Sequence, residues 1–227
     1  MPLELSRIRA ICFDVDGTLR DTDDQFVQQL VKRMNWARFF FPRRDPTTFA
    51  RWLVMATETP GNFLLGLNDR LGIDDELAAI GDWVYYRLGM RGNAEAFLLI
   101  EGVHEMLARL QAHYPLAVVS ARGRRSTYAF LERFGLLGYF QCIATGQTCA
   151  FTKPHPDPIF WAADQLDVPA ANCLMVGDTT VDVRAGRAAG AQTVGVLCGF
   201  GEEHELQDAG ADLILASTPG LADALGV

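Results

Sequence analysis

An α/β fold is what this sequence predicts: a Rossmann-like parallel sheet core with an all-helical segment inserted near its start. Three observations predict it. From residue 100 onward, short apolar runs alternate with amphipathic stretches. A single apolar run over residues 8–13 stands far ahead of them. Between the two lie four helix-like stretches with no convincing strand. The expected division is a core of residues 1–19 and 96–227 and an inserted helical domain of residues 20–95.

The 227 residues suffice for one large domain or a core with an insertion, and a 49% apolar share can fill a sizeable interior. A formal net charge of −8 argues against nucleic acid as a partner, because phosphate backbones call for a basic surface. Five cysteines, Cys12, Cys142, Cys149, Cys173 and Cys198, contain no C-x-x-C pair and are odd in number. Most are expected to be small buried fillers in a reduced protein. No stretch approaches the ~20 apolar residues of a membrane span, and no signal peptide is recognisable. A cytoplasmic protein, monomer or homodimer, without a membrane partner is the expectation.

The elements follow in order. Residues 8–13 read as a buried parallel strand, ending at Asp14. Phe26, Leu30, Val31, Met34 and Phe41 recur at helical spacing before Pro42. Asp45-Pro46 opens a second helix, Pro60-Gly61 resets the chain for a third, and Asp74 caps a fourth. The aromatics here, among them Trp36, Trp52, Trp83 and Tyr85, are expected to be core. Further on, helices are expected over 102–113, 123–134, 156–166 and 181–189. Strands are expected over 116–120, 142–145, 173–176, 193–197 and 213–215. In such folds function gathers at the carboxyl ends of strands.

The chemistry-bearing residues obey that rule. Asp14-Val15-Asp16-Gly17-Thr18 follows the first strand. Alternation along an extended chain would point both acids one way, where they repel unless a cation or proton intervenes. Ser120 ends the second core strand before Ala121 and Arg122; it suits an anion at a helix start or serves as an ordinary N-cap. Lys153 precedes prolines 154, 156 and 158, whose stiffness fixes its direction, while His155 is expected at the surface. Gly177-Asp178 and Asp182 bring two acids to one helix start, where they suit Mg²⁺ or merely the helix dipole.

Together Asp14-x-Asp16-Gly17-Thr18, Ser120, Lys153-Pro154 and Gly177-Asp178-x-x-x-Asp182 resemble, in order, the four motifs of the haloacid dehalogenase-like (HAD) hydrolases. The insertion after the first motif is similar to the helical cap of the phosphoglycolate phosphatase and β-phosphoglucomutase branch. The resemblance implies a phosphoric monoester hydrolase acting on a small phosphorylated metabolite. Asp14 would be the nucleophile and Asp16 the acid and base. Mg²⁺ would be held by Asp14, the backbone carbonyl of Asp16, Asp178 and, directly or through water, Asp182. Thr18, Ser120, the Ala121 N–H and Lys153 would meet the phosphate. A phosphomutase, or a non-catalytic phospho-ligand binding protein, would carry the same motifs. An acid at position 16 favours phosphoryl chemistry over dehalogenation.

Two positions depart from the branch's pattern. Arg122 stands after Ala121 where relatives carry Asn-Lys, and is open between a second anion site and an ordinary helix-start cation. Arg20 replaces an apolar residue and either meets substrate or faces solvent. Tyr86, Arg87, Met90 and Arg91 are candidate cap residues near the cleft.

Overall fold

The computed structural model describes residues 3–21 and 98–227. The four expected helices between them, their aromatics, and Tyr86, Arg87, Met90 and Arg91 lie outside the described residues. The chain divides into two compact units, Met1–Thr22 with Leu98–Val227, and Asp23–Phe97.

The first unit is built on a six-stranded parallel sheet: β1 (Ala10–Phe13), β4 (Leu116–Val119), β5 (Cys142–Ala144), β6 (Cys173–Gly177), β7 (Gln192–Val196) and β8 (Leu213–Leu215). Its order is β5-β4-β1-β6-β7-β8, with β1 at the centre. Ile11 faces Leu116 on one side and Leu174 on the other. Every residue of β1, β4, β6 and β7 is buried, as continuous apolar runs predict for strands covered on both faces. The strand predictions hold within one or two residues.

One face of the sheet is lined by small side chains. Ala10, Cys12, Ala117, Val119, Cys173 and Met175 pack with Ile159, Ala162, Ala163 and Leu166 of α3 (Asp157–Gln165) and its end. Ala185 of α4 (Thr180–Ala188) joins the same cluster. The alternate residues, Ile11, Phe13, Val118 and Val176, are fully buried and point to the other face. In α1 (Val103–Gln111) the buried residues 103, 106, 107 and 110 form one stripe, and α2 (Arg124–Arg133) buries Thr127, Phe130 and Leu131.

Two differences from the sequence reading matter. Arg20–Asp21 forms a strand, β2, pairing antiparallel with β3 (Leu98–Leu99) where only helix was expected; the register is Arg20 with Leu99 and Asp21 with Leu98. A two-residue strand has no periodicity to detect. Beyond β7, α5 (Glu203–Ala209) and α6 (Leu221–Ala224) also go unanticipated, being short and weakly patterned.

Among the described residues no helix is long and apolar enough to cross a membrane. All five cysteines are free, but only Cys12 and Cys173 are buried; the other three are half-buried, fewer than expected.

Candidate active site

Asp14 follows the last residue of β1, and its backbone N–H donates to Val176 O of β6 at 2.9 Å, continuing the sheet. The preceding Phe13 is wholly buried and stands edge-on to Phe140, so the carboxylate rides on a rigid base. The chain then turns sharply: the N–H groups of Leu19 and Arg20 both donate to Val15 O. Gly17 makes that turn at φ +73°, and a Cβ there would come within 2.1 Å of Asp178 Oδ2. Strand alternation therefore does not position Asp16, because β1 ends before it.

Four strand ends meet at this turn. Lys153, on the loop after β5 and ahead of a cis Lys153–Pro154 bond, is buried. Its ammonium lies 2.6 Å from Asp14 Oδ1 and 2.6 Å from Asp182 Oδ1. Asp182 sits in the first turn of α4, where its Oδ2 accepts from the Thr179 N–H at 3.1 Å and the Thr179 hydroxyl at 2.7 Å. Both Asp182 oxygens are thus engaged in holding Lys153 and the helix start. Asp178, fully buried at the end of β6, accepts the Phe200 N–H at 2.7 Å on Oδ2.

Asp14, Asp178 and Asp182 each bring one carboxylate oxygen into a cluster spanning no more than 4.8 Å. Burial pushes the Asp14 carboxyl up from 3.8 to about 7; Lys153 opposes the rise, and the charges of Asp182 and Asp16 add to it. Lys153 loses by burial but is driven above its usual value by Asp14 and Asp182, so it remains a cation. Three buried carboxylates thus crowd around one ammonium, and the donors are all oxygen. That set fits a hard divalent cation such as Mg²⁺.

The other expected residues are placed as follows. Ser120 is buried at the end of β4, its Oγ accepting from the Arg122 N–H at 3.2 Å. Thr18 is buried, and its Oγ1 meets no hydrogen-bond partner among the described residues. Asp16 turns its Oδ1 to Arg122 at 2.6 Å and Arg20 at 2.8 Å, so neither arginine is a plain solvated cation. His155 is exposed and faces Asp157, as expected for a surface histidine. The sequence reading missed Gly199 and Phe200, which follow β7. A Cβ on Gly199 would meet Asp178 Oδ2 at 2.0 Å. The Gly199-Phe200-Gly201 run at a strand end was the available signal.

The family model for haloacid dehalogenase-like hydrolases matches residues 74–196, more than half of the chain. The chain belongs to that family. Phosphoglycolate phosphatase of Nitrosococcus oceani is 28% identical over 94% of this chain and 94% of its own length. The enzyme of the same name from Photobacterium profundum is 28% identical over 95% of each. Among solved structures, a hydrolase from Pseudomonas syringae aligns at a TM-score of 0.68, 24% identical, over 96% of this chain and 98% of that one. A β-phosphoglucomutase from Clostridium difficile aligns at 0.62, 22% identical, over 94% and 93%. The solved structures share the fold. This HAD-like chain is accordingly a phosphoric monoester hydrolase, similar over nearly its whole length to phosphoglycolate phosphatases.

Proposed function

We propose that this HAD-like hydrolase is a Mg²⁺-dependent phosphatase of a small phosphorylated metabolite, phosphoglycolate-like or a sugar phosphate, working through an aspartyl-phosphate on Asp14. The carrying observation is the buried Asp14 carboxylate, 2.6 Å from Lys153 and clustered with Asp178 and Asp182. A nucleophile needs such fixed placement and charge compensation, because a phosphate monoester repels incoming anions.

Asp14 attacks phosphorus while the bond to the ester oxygen breaks, and Asp16 gives its proton to the departing alkoxide. Water then attacks the aspartyl-phosphate, passing a proton to Asp16 and releasing phosphate and Asp14. Lys153 offsets negative charge at the nucleophile, while Ser120, Thr18 and the Ala121 N–H meet phosphate oxygens. Asp14, Asp178 and the Asp16 carbonyl would hold Mg²⁺, with Asp182 contributing directly or through water, and the ion would supply charge neutralisation for the transferred group. In this proposal the segment expected as a helical domain over residues 20–95 acts as the cap of a core of residues 1–19 and 96–227, with Arg20–Asp21 belonging to the core's β2. The enzyme works in the cytoplasm, as monomer or homodimer, without nucleic acid or membrane.

The test is phosphate release from p-nitrophenyl phosphate and a panel of metabolite phosphates. Turnover should need Mg²⁺, stop with chelator, and fall on the order of ten-thousandfold in Asp14→Asn. No release from any ester by folded protein with Mg²⁺ would overturn the proposal.

A further inference from the structure

The turn that carries Asp16 is held from behind by the far end of the chain. The Thr218 hydroxyl donates to Thr18 O at 2.6 Å, and Thr218 is fully buried. Beside it the half-buried Cys198 thiol lies 3.3 Å from Gly17 O and 3.4 Å from Thr218 Oγ1. The one hydroxyl proton of Thr218 goes to Thr18 O, so toward Cys198 the hydroxyl accepts. Backbone groups serve the neighbouring carbonyls: Val15 O takes the Leu19 and Arg20 N–H groups, Leu19 O that of Ile100, and Arg20 O that of Gly17. Gly17 O and Thr18 O are the carbonyls of the turn that side chains hold. Thr218 itself stands on a fixed base. It opens the short 3-10 turn Thr218–Gly220, where Pro219 packs so closely that a Cβ on Gly102 would lie 3.2 Å from its own Cβ. Leu221 and Ala222, which follow, are fully buried.

We infer that Thr218, with Cys198 as a second point of attachment, is a positioning residue for Asp16: it fixes the Gly17-Thr18 backbone so that the Asp16 carboxyl meets the ester oxygen. The inference rests on the phosphatase reading, in which the Asp16 proton passes to that oxygen as its bond to phosphorus breaks. Asp16 lies beyond the end of β1, so the sheet does not set its place; the turn does. Arg20 and Arg122 hold the tip of its side chain at Oδ1. The clamp holds the backbone from which that side chain grows. Proton transfer needs donor and acceptor within hydrogen-bond reach, and a small drift of the turn lengthens that gap. A fully buried hydroxyl calls for a partner, and the partner of Thr218 is the turn itself, 200 residues away in sequence.

The experiment measures kcat/KM for phenyl phosphate and p-nitrophenyl phosphate in wild type, Thr218→Val, Thr218→Ser and Cys198→Ala. The two esters have similar shapes, but phenolate is the poorer leaving group and depends more on the Asp16 proton. Thr218→Val should lower kcat/KM on phenyl phosphate about ten- to hundredfold, and on p-nitrophenyl phosphate much less. Thr218→Ser, which keeps the hydroxyl, should return the ratio of the two esters to that of wild type. Cys198→Ala should move the ratio in the same direction by less, and serves if Thr218→Val fails to fold. If Thr218 only satisfied a buried carbonyl, both esters would suffer equally and the ratio would not move; that result overturns the inference. A serine variant that fails to restore the ratio also overturns it. Wild type inactive on both esters would instead sink the phosphatase reading, and this inference with it.

Discussion

The backbone N–H of Phe200 donates to Oδ2 of Asp178 at 2.7 Å, tying the loop after β7 to the acid that ends β6. That loop approaches so closely that a Cβ on Gly199 would lie 2.0 Å from the same oxygen. Gly199→Ala should therefore displace Asp178 while leaving Asp14 and Lys153 in place. The expected outcome is a rise of about tenfold or more in the Mg²⁺ concentration for half-maximal activity. Calorimetric titration of Mg²⁺ on the variant checks it independently of turnover. Unchanged metal affinity would show that the loop can yield.

Lys153 is the shared partner of Asp14 and Asp182, and all three are buried. Lys153→Met should cost about 3–5 kcal/mol of stability at pH 9, above the Asp14 value of about 7, because two carboxylates are left facing each other without a cation. Urea unfolding of the metal-free protein measures it. The loss should shrink at pH 5, where Asp14 can take up a proton. A pH-independent loss would point to packing rather than charge.

Asp14 makes metal-free stability depend on pH. In the unfolded chain it ionises near 3.8, in the folded protein near 7. Between those values the folded state holds the extra proton. Its contribution is full below the lower value and is lost as pH rises through the upper one. Lys153 stays charged throughout that window and supplies no opposing slope. Metal-free wild type should lose stability from pH 5 to pH 8 relative to Asp14→Asn, and Mg²⁺ should stabilise wild type more at pH 8. Parallel melting curves for the two proteins would rule Asp14 out as the source.

The sheet and its chemistry were legible because each signal is local. An apolar run ending in Asp, Ser or Gly-Asp marks both a parallel strand and the end where function collects, so Asp14, Ser120 and Asp178 could be placed before any contact was known. The partners of Asp16 could not. Arg20 is 4 residues away and Arg122 is 106 away, and only the turn after β1 and the adjacency of β1 and β4 bring them to one oxygen. Phe200 contributes through its backbone, so only the glycines on either side of it mark the contact in the sequence. The β2–β3 pair was missed because two residues are too few for a period, although it is the point where the chain leaves and re-enters the core unit.

That pair carries an evolutionary corollary. Arg20 faces Leu99 and Asp21 faces Leu98 as antiparallel neighbours, so the two ends of the intervening segment stand one strand spacing apart, about 4.8 Å. A segment that starts and finishes at the same doorway can be lengthened, trimmed or exchanged wholesale without straining the sheet behind it. The acids at the strand ends are thereby insulated from changes in the insert, and Arg20, standing on the doorframe, stays beside Asp16 when the rest is replaced.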